Sequence, residues 1–122
     1  MSKTIMIVDD SVSLRQVVGI ALRSVGYAVV EAANGQEALD KLALEKIHLI
    51  ISDVGMPVMD GIAFAKQVKL MPDYKFTPLI MLTTESRPEK KQEGQAAGVK
   101  AWMVKPFQPA QLLAAVSTLI QP

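Results

Sequence analysis

Four places in the chain put chemically capable side chains directly behind runs of large apolar residues. Asp9 and Asp10 follow "IMIV" (5–8), and Asp53 follows "IHLII" (47–51) after a single Ser. Thr83 and Thr84 follow "PLIML" (78–82), and Lys105 with Pro106 follows "AWMV" (101–104). A fifth run, "YAVV" (27–30), leads into Glu31, Ala32 and Ala33, with little chemistry in view. Three carboxylates brought to one edge raise one another's pKa unless a cation offsets them. A hard divalent ion with oxygen ligands meets that need, and Mg2+ suits an open site with few carboxylates, several waters and a phosphate oxygen. A Lys ammonium and a Thr hydroxyl beside it can hold the remaining phosphoryl oxygens. The set reads as a phosphoryl-transfer site, with a nucleophile, metal ligands and two groups for developing charge. Taken singly, each piece is ordinary: an Asp pair or a Thr after a strand caps a helix, and a Lys before Pro is a solvated loop residue. Their joint occurrence at four strand ends carries the reading.

For these residues to meet, the runs must lie side by side and point the same way. Most of them lack polar alternation, as expected of strands buried on both faces in a parallel sheet. Helical spacing fills the intervals. Leu14, Val17, Val18, Ala21, Leu22 and Val25 form one apolar stripe of a first helix, with Ser11 as its cap and Gly26 as its stop. A second helix, about 35–46, starts after Asn34 and turns Ala38, Leu39 and Leu42 inward. A third, about 61–71, has Asp60 as cap and Ile62, Ala65 and Val68 facing inward. A fifth, about 109–120, starts on Pro109 and buries Leu112, Leu113, Val116 and Leu119. The fourth, about 88–97, is mostly polar, and Gly94 in its interior costs about 1 kcal/mol relative to Ala. It is expected to be the least firmly docked, with Gly98 as its stop.

The order is β-α repeated five times, which means a parallel sheet with helices on both faces. In such an α/β sheet, ligands bind outside the carboxyl ends of the strands, at the switch in strand order. That is where the acids, the Thr pair and the Lys fall.

The 122 residues suit one domain, and half of them are hydrophobic, enough for a sizeable core. No apolar run approaches the roughly 20 residues of a membrane span, and "MSKTIMIVDD" lacks the layout of a secretory signal. A cytoplasmic protein is the expectation. There is no cysteine, and so no disulfide or thiol chemistry. A formal net charge of +1, with the basic residues spread out, gives no footprint for nucleic acid.

The sequence resembles the receiver domain of two-component response regulators over essentially its whole length. The resemblance rests on "IVDDS" (7–11), "SDVGMPVMDG" (52–61), "MLTTES" (81–86), "AAG" (96–98) and "VKPF" (104–107). It is nearest to single-domain chemotaxis regulators of the CheY type. It implies a flavodoxin-like (βα)5 fold with strand order 2-1-3-4-5, filling 1–122 as a single receiver domain with no output domain. It also implies that Asp53 is the phosphoacceptor, that Asp10, Asp53 and the Gly55 carbonyl bind Mg2+ directly, and that Asp9 does so through water. By the same resemblance Lys105 contacts the phosphoryl group, Thr83 swings towards it, Trp102 stands at a rotamer-switch position, and Lys105–Pro106 is cis. Gly55 and Glu85 occupy the two positions that tune dephosphorylation. The implied partners are a CheA-like histidine kinase and a flagellar motor switch protein or a phosphatase, met by a monomer through its fourth and fifth helices. Such a domain catalyses its own phosphorylation and dephosphorylation rather than turning over a substrate.

Three departures from the family pattern stand out. Gly55 is bare where a tuning side chain is frequent, Thr84 replaces a smaller residue, and Trp102 replaces Tyr or Phe. Gly55 is read as letting its carbonyl approach the cation. The rival readings are an aspartyl-nucleophile phosphatase, which would need a second Asp where Gly55 stands, and a binding module without phosphorylation. Within the family, a phosphate sink or a relay intermediate is the alternative to motor control. His48 reads as a satisfied core histidine, and Met6, Met56, Met81 and Met103 as packing filler. Tyr74 and Phe76 are expected to pack under the loop before strand four, and Arg87, Lys90 and Lys91 to be solvated.

Overall fold

The computed structural model describes residues 3–84 and 88–120. Five strands alternate with helices: β1 (Thr4–Val8), α1 (Val12–Ser24), β2 (Ala28–Ala32), α2 (Gly35–Leu42), β3 (Leu49–Asp53), α3 (Gly61–Leu70), β4 (Leu79–Thr83), α4 (Pro88–Ala96), β5 (Ala101–Val104) and α5 (Pro109–Leu119). A short 3-10 turn, Pro72–Tyr74, precedes β4. All strand pairs are parallel, in the order β2-β1-β3-β4-β5. This is the fold and the strand order that the family resemblance implies.

The absence of polar alternation in the strands has a direct cause. Successive side chains point to opposite faces, and both faces are covered. Ile5, Ile7, Leu49, Ile51, Ile80 and Leu82 pack with Val18 and Leu22 of α1 and Leu112 and Val116 of α5. Met6, Val8, Ile50, Leu79 and Met81 pack on the other face with Ala38 and Leu42 of α2 and Ile62, Phe64, Ala65 and Val68 of α3. Leu113 and Leu119 are partly buried beside the first group. Met6, Met56 and Met81 are buried, and Met103 is partly so.

The helix caps follow the sequence. Leu14 N donates to Ser11 Oγ, Glu37 N to Asn34 Oδ1 and Ala63 N to Asp60 Oδ1. Gly26 and Gly98 end α1 and α4 with φ of 101° and 96°, a backbone region that L side chains rarely adopt.

Four expectations need correction. Val17 and Val25 of the α1 stripe are 55% and 44% exposed. The stripe is wider than the sheet and α5 can cover, so only its centre, Val18 and Leu22, is buried. Helix α2 stops at Leu42, short of 46, because Tyr74 Oη donates to the Leu42 and Glu45 carbonyls, and the Leu44 and Glu45 amides turn back onto Lys41 O. Phe76 is 87% exposed rather than packed, with Lys75 Nζ over its ring, while Tyr74 is buried as expected. His48 precedes β3 and is half-buried rather than in the core, although it is satisfied: Thr4 N donates to its Nδ1 at 2.9 Å.

Candidate functional site

The switch in strand order falls at β1, whose neighbours β2 and β3 lie on opposite sides. Val8 pairs with Ser52 and Asp53 with Leu82. Continuing the register one step sets Asp9 level with Asp53. Thr83 pairs with Val104, so the next residue, Lys105, also emerges at this edge. The carboxyl edge thereby gathers the residues that the sequence points to.

Asp9, Asp10 and Asp53 each offer a carboxylate oxygen, and these oxygens all lie within 4.8 Å of one another. Asp9 and Asp53 are 1% and 8% exposed, whereas Asp10 faces solvent. Lys105 Nζ stands between the two buried acids, 3.2 Å from Asp9 Oδ2 and 3.3 Å from Asp53 Oδ1. Asp9 Oδ1 also accepts from Ser11 N at 2.8 Å. The Asp53 carboxyl is held above its ordinary pKa, first because burial penalises its charge and then because Asp9 faces it. Lys105 opposes both effects. Among the described residues, one cation therefore serves two buried carboxylates, and the third acid adds charge without a further ammonium.

That surplus is the observation that fits a metal. Three carboxylates presenting hard oxygens around one point, with a single Lys among them in the described residues, are a donor set suited to Mg2+ or a similar cation. Beside them a cleft of about 370 Å3 is lined by Asp53, Gly55, Asp60, Thr83, Thr84 and Lys105. Thr83 is buried and Thr84 is exposed, with Lys105 N donating to Thr83 O at 2.7 Å. The Lys105–Pro106 bond is cis, as the resemblance implies. Trp102 is partly buried against the α2–α3 face of the core. Glu85 lies outside the described residues, as do Arg87 and the side chain of Lys90; Lys91 is exposed.

Gly55 lines the cleft behind Asp53. A Cβ built there would meet no described atom within 4 Å, and its φ is not in the left-handed region. Among the described residues, no close approach to protein atoms and no backbone conformation demands a glycine there. The close approach falls six residues later. A Cβ on Gly61 would lie 2.1 Å from Asp53 O, while Gly61 N donates to Val54 O at 2.8 Å. Gly61 lets the start of α3 rest against the backbone that carries Asp53.

Sequence reasoning missed two further supports. Arg15 donates from Nη1 to Asp9 O at 2.5 Å and from Nε to Glu31 at 3.1 Å. The end of β2 thus takes part through Glu31 by holding the guanidinium that braces the Asp9 backbone. An Arg on the first helix turn and an acid at the end of the neighbouring strand are the only hint of it in the sequence. Lys105 and Thr84 also border an apolar groove of about 450 Å3, walled by Leu14, Val17, Ala21 and Phe107, which is where the exposed Val17 faces.

The family model of the response regulator receiver domain matches residues 5–117. Transcriptional regulatory protein ResD of Bacillus subtilis is 35% identical over 117 residues, which are 96% of this chain and 48% of ResD. The PhoP regulator of alkaline phosphatase synthesis from the same organism is 37% identical over 124 residues, 99% of this chain and 50% of PhoP. The chain spans about half the length of these curated relatives. Among solved structures, chemotaxis protein CheY4 of Vibrio cholerae is 49% identical with a TM-score of 0.94, covering 98% of this chain and 100% of CheY4. The receiver domain of a Pseudomonas aeruginosa sensor histidine kinase, 25% identical with a TM-score of 0.88 over 98% of both chains, carries a magnesium ion in its active-site cleft.

Proposed function

The chain belongs to the response regulator receiver domain family of two-component systems, and on that premise we propose that Asp53 is its phosphoacceptor. Membership implies a histidine kinase as partner. The Asp53 carboxylate attacks the phosphorus of the kinase's phosphohistidine in line, and the phosphorus–nitrogen bond breaks as the acyl phosphate forms. Lys105, already within 3.3 Å of Asp53, turns its ammonium to the incoming oxygens. The Thr83 hydroxyl, at the wall of the same cleft, supplies a second donor. Charge-assisted bonds of this kind contribute about 1.5–3 kcal/mol each, enough to move a two-state equilibrium by one to two orders of magnitude. Asp10 and Asp53, with the Gly55 carbonyl, would hold Mg2+ directly, and Asp9 would do so through water. When bound, the ion neutralises phosphoryl charge and relieves the repulsion among the three acids. Phosphorylation moves Thr83 and Trp102 and alters the face formed by α4, β5 and α5, which a partner reads.

The observation that carries this reading is the Lys105 ammonium bridging Asp9 and Asp53 at the edge of an open cleft. For the output we propose chemotaxis signalling in the cytoplasm, with a CheA-like kinase upstream and a flagellar switch component or a phosphatase downstream. Its support is the 49% identity to a chemotaxis protein over nearly the whole of both chains. The test exposes the natural chain and Asp53→Asn to a phosphorylated histidine kinase with Mg2+. The natural chain should take up the phosphoryl group and the variant should not; equal uptake by both would refute the assignment. Capture with and without beryllofluoride then reads the output. Retention of flagellar switch components only with the mimic supports motor control. Retention of histidine proteins alone would assign a sink or a relay.

A further inference from the structure

Helix α4 carries a glycine in its interior, at a position where Ala would stabilise an isolated helix. Among residues 91–96, Gly94 alone is buried. What lies against it is Trp102. A Cβ built on Gly94 would stand 2.5 Å from Cζ3, 3.1 Å from Cε3 and 3.6 Å from Cη2 of the indole. These three atoms form one edge of the six-membered ring. Carbon atoms in contact sit about 3.5–4.0 Å apart, so even one methyl would force the ring away.

The ring is held on other sides too. Trp102 packs against the buried cluster of the α2–α3 face and is paired with Met81 in β4. Outside it, Lys91, Gln95, Val99, Lys100 and Ala101 complete a hollow of about 230 Å3 that the indole also lines. A displaced ring therefore has a place to go. Gly94 is also fixed in the turn that leads to β5, since Gly94 O accepts from Ala97 N at 3.1 Å and from Val99 N at 3.0 Å. The same backbone unit ends α4 and faces the indole.

We propose that Gly94 is a positioning residue for Trp102. Its bare Cα makes a socket in α4 that seats the six-membered edge of the indole, so the rotamer of Trp102 sets how closely α4 lies against β5. The glycine's unfavourable helix propensity is offset by this seat. The coupling to signalling rests on the reading that phosphorylation of Asp53 moves Trp102; the socket itself does not.

The test is a double-mutant cycle read by chemical denaturation, with Trp102 fluorescence as a second signal. In a Trp102→Ala background, Gly94→Ala should favour the folded state by about fivefold, the gain of Ala over Gly in a helix. In the natural background the same substitution should lower stability. Equal gains in both backgrounds would overturn the socket. The single tryptophan then reports the switch. Gly94→Ala should shift Trp102 emission to the red before any phosphoryl mimic is added. It should also shrink the change on adding Mg2+ with beryllofluoride at least twofold, with phosphoryl uptake from acetyl phosphate retained. If the cycle shows coupling but the natural chain gives no beryllofluoride response, the socket stands and the switch reading fails. If the natural chain and Gly94→Ala respond equally and the cycle shows no coupling, the switch reading stands and the socket fails.

Discussion

Lys105 Nζ lies 3.3 Å from Asp53 Oδ1 and is shared with Asp9, 3.2 Å away. Among the described residues the Asp53 carboxylate therefore has part of one ammonium, while burial and Asp9 both act against its charge. Such a group is poised for a partner that brings positive charge, and it lowers the stability of the fold when none is bound.

Removing that charge should accordingly stabilise the protein. Asp53→Asn keeps the size of the side chain, removes the repulsion with Asp9 and leaves Lys105 paired with Asp9. In buffer with a chelator, its Tm should rise by roughly 2–5 °C, the size expected for a stabilising change of about 0.5–1 kcal/mol at this length. Calorimetry checks this, and added Mg2+ should narrow the difference. A lower Tm in chelator would mean that Asp53 is held by favourable contacts.

A second strain sits in the loop behind Asp53. Val58 has φ of 72°, and Met59 N donates across it to Pro57 O at 2.8 Å, which is the hydrogen bond of a γ-turn. A β-branched residue is unfavourable there, and Val58 is 81% exposed, so its side chain contributes little packing in return. Val58→Gly should stabilise the fold by about 1 kcal/mol, the low end of the cost of a sparsely populated backbone conformation, measured as a shift of the urea midpoint. An unchanged or lower midpoint would show that the loop already accommodates valine.

His48 gives a dependence on pH. Desolvation, followed by Lys3 and Lys46, holds its pKa below the ordinary value, and its Nδ1 must stay unprotonated to accept from Thr4 N. Below about pH 6.5 the unfolded chain binds a proton at His48 that the folded chain resists. This contribution to stability is present above that value and lost as the pH falls through it. His48→Gln keeps an acceptor but does not titrate. The stability of the natural chain relative to the variant should decline between about pH 8 and about pH 5.5. A constant difference over that range would contradict the assignment.

The residues at the strand ends were legible in the sequence for a topological reason. In a parallel sheet every strand delivers its last residues to the same edge, so Asp9, Asp10, Asp53, Thr83 and Lys105 could be read as one group without knowing a single distance. Their mutual geometry was not legible, because it depends on register. Arg15 reaches Asp9 and Glu31 across elements, and no local pattern encodes that contact. The glycines show the same limit. Among the described residues no protein atom crowds Gly55, whereas Gly61 and Gly94 read as a helix start and a helix defect and are positions where a methyl would collide. Close approach is a tertiary property. Val17, Val25 and Phe76 fail for a related reason: periodicity marks an apolar stripe but not how much of it a neighbouring element covers.

Trapping the acyl phosphate and locating it tests Asp53 as the phosphoacceptor. The protein is treated with acetyl phosphate and Mg2+ and then with borohydride, which reduces an acyl phosphate to the corresponding alcohol, and the residue is identified by peptide sequencing in the mass spectrometer. Homoserine is expected at position 53 and at no other carboxylate. Reduction at Asp9 or Asp10, or no reduced residue at all, would contradict it.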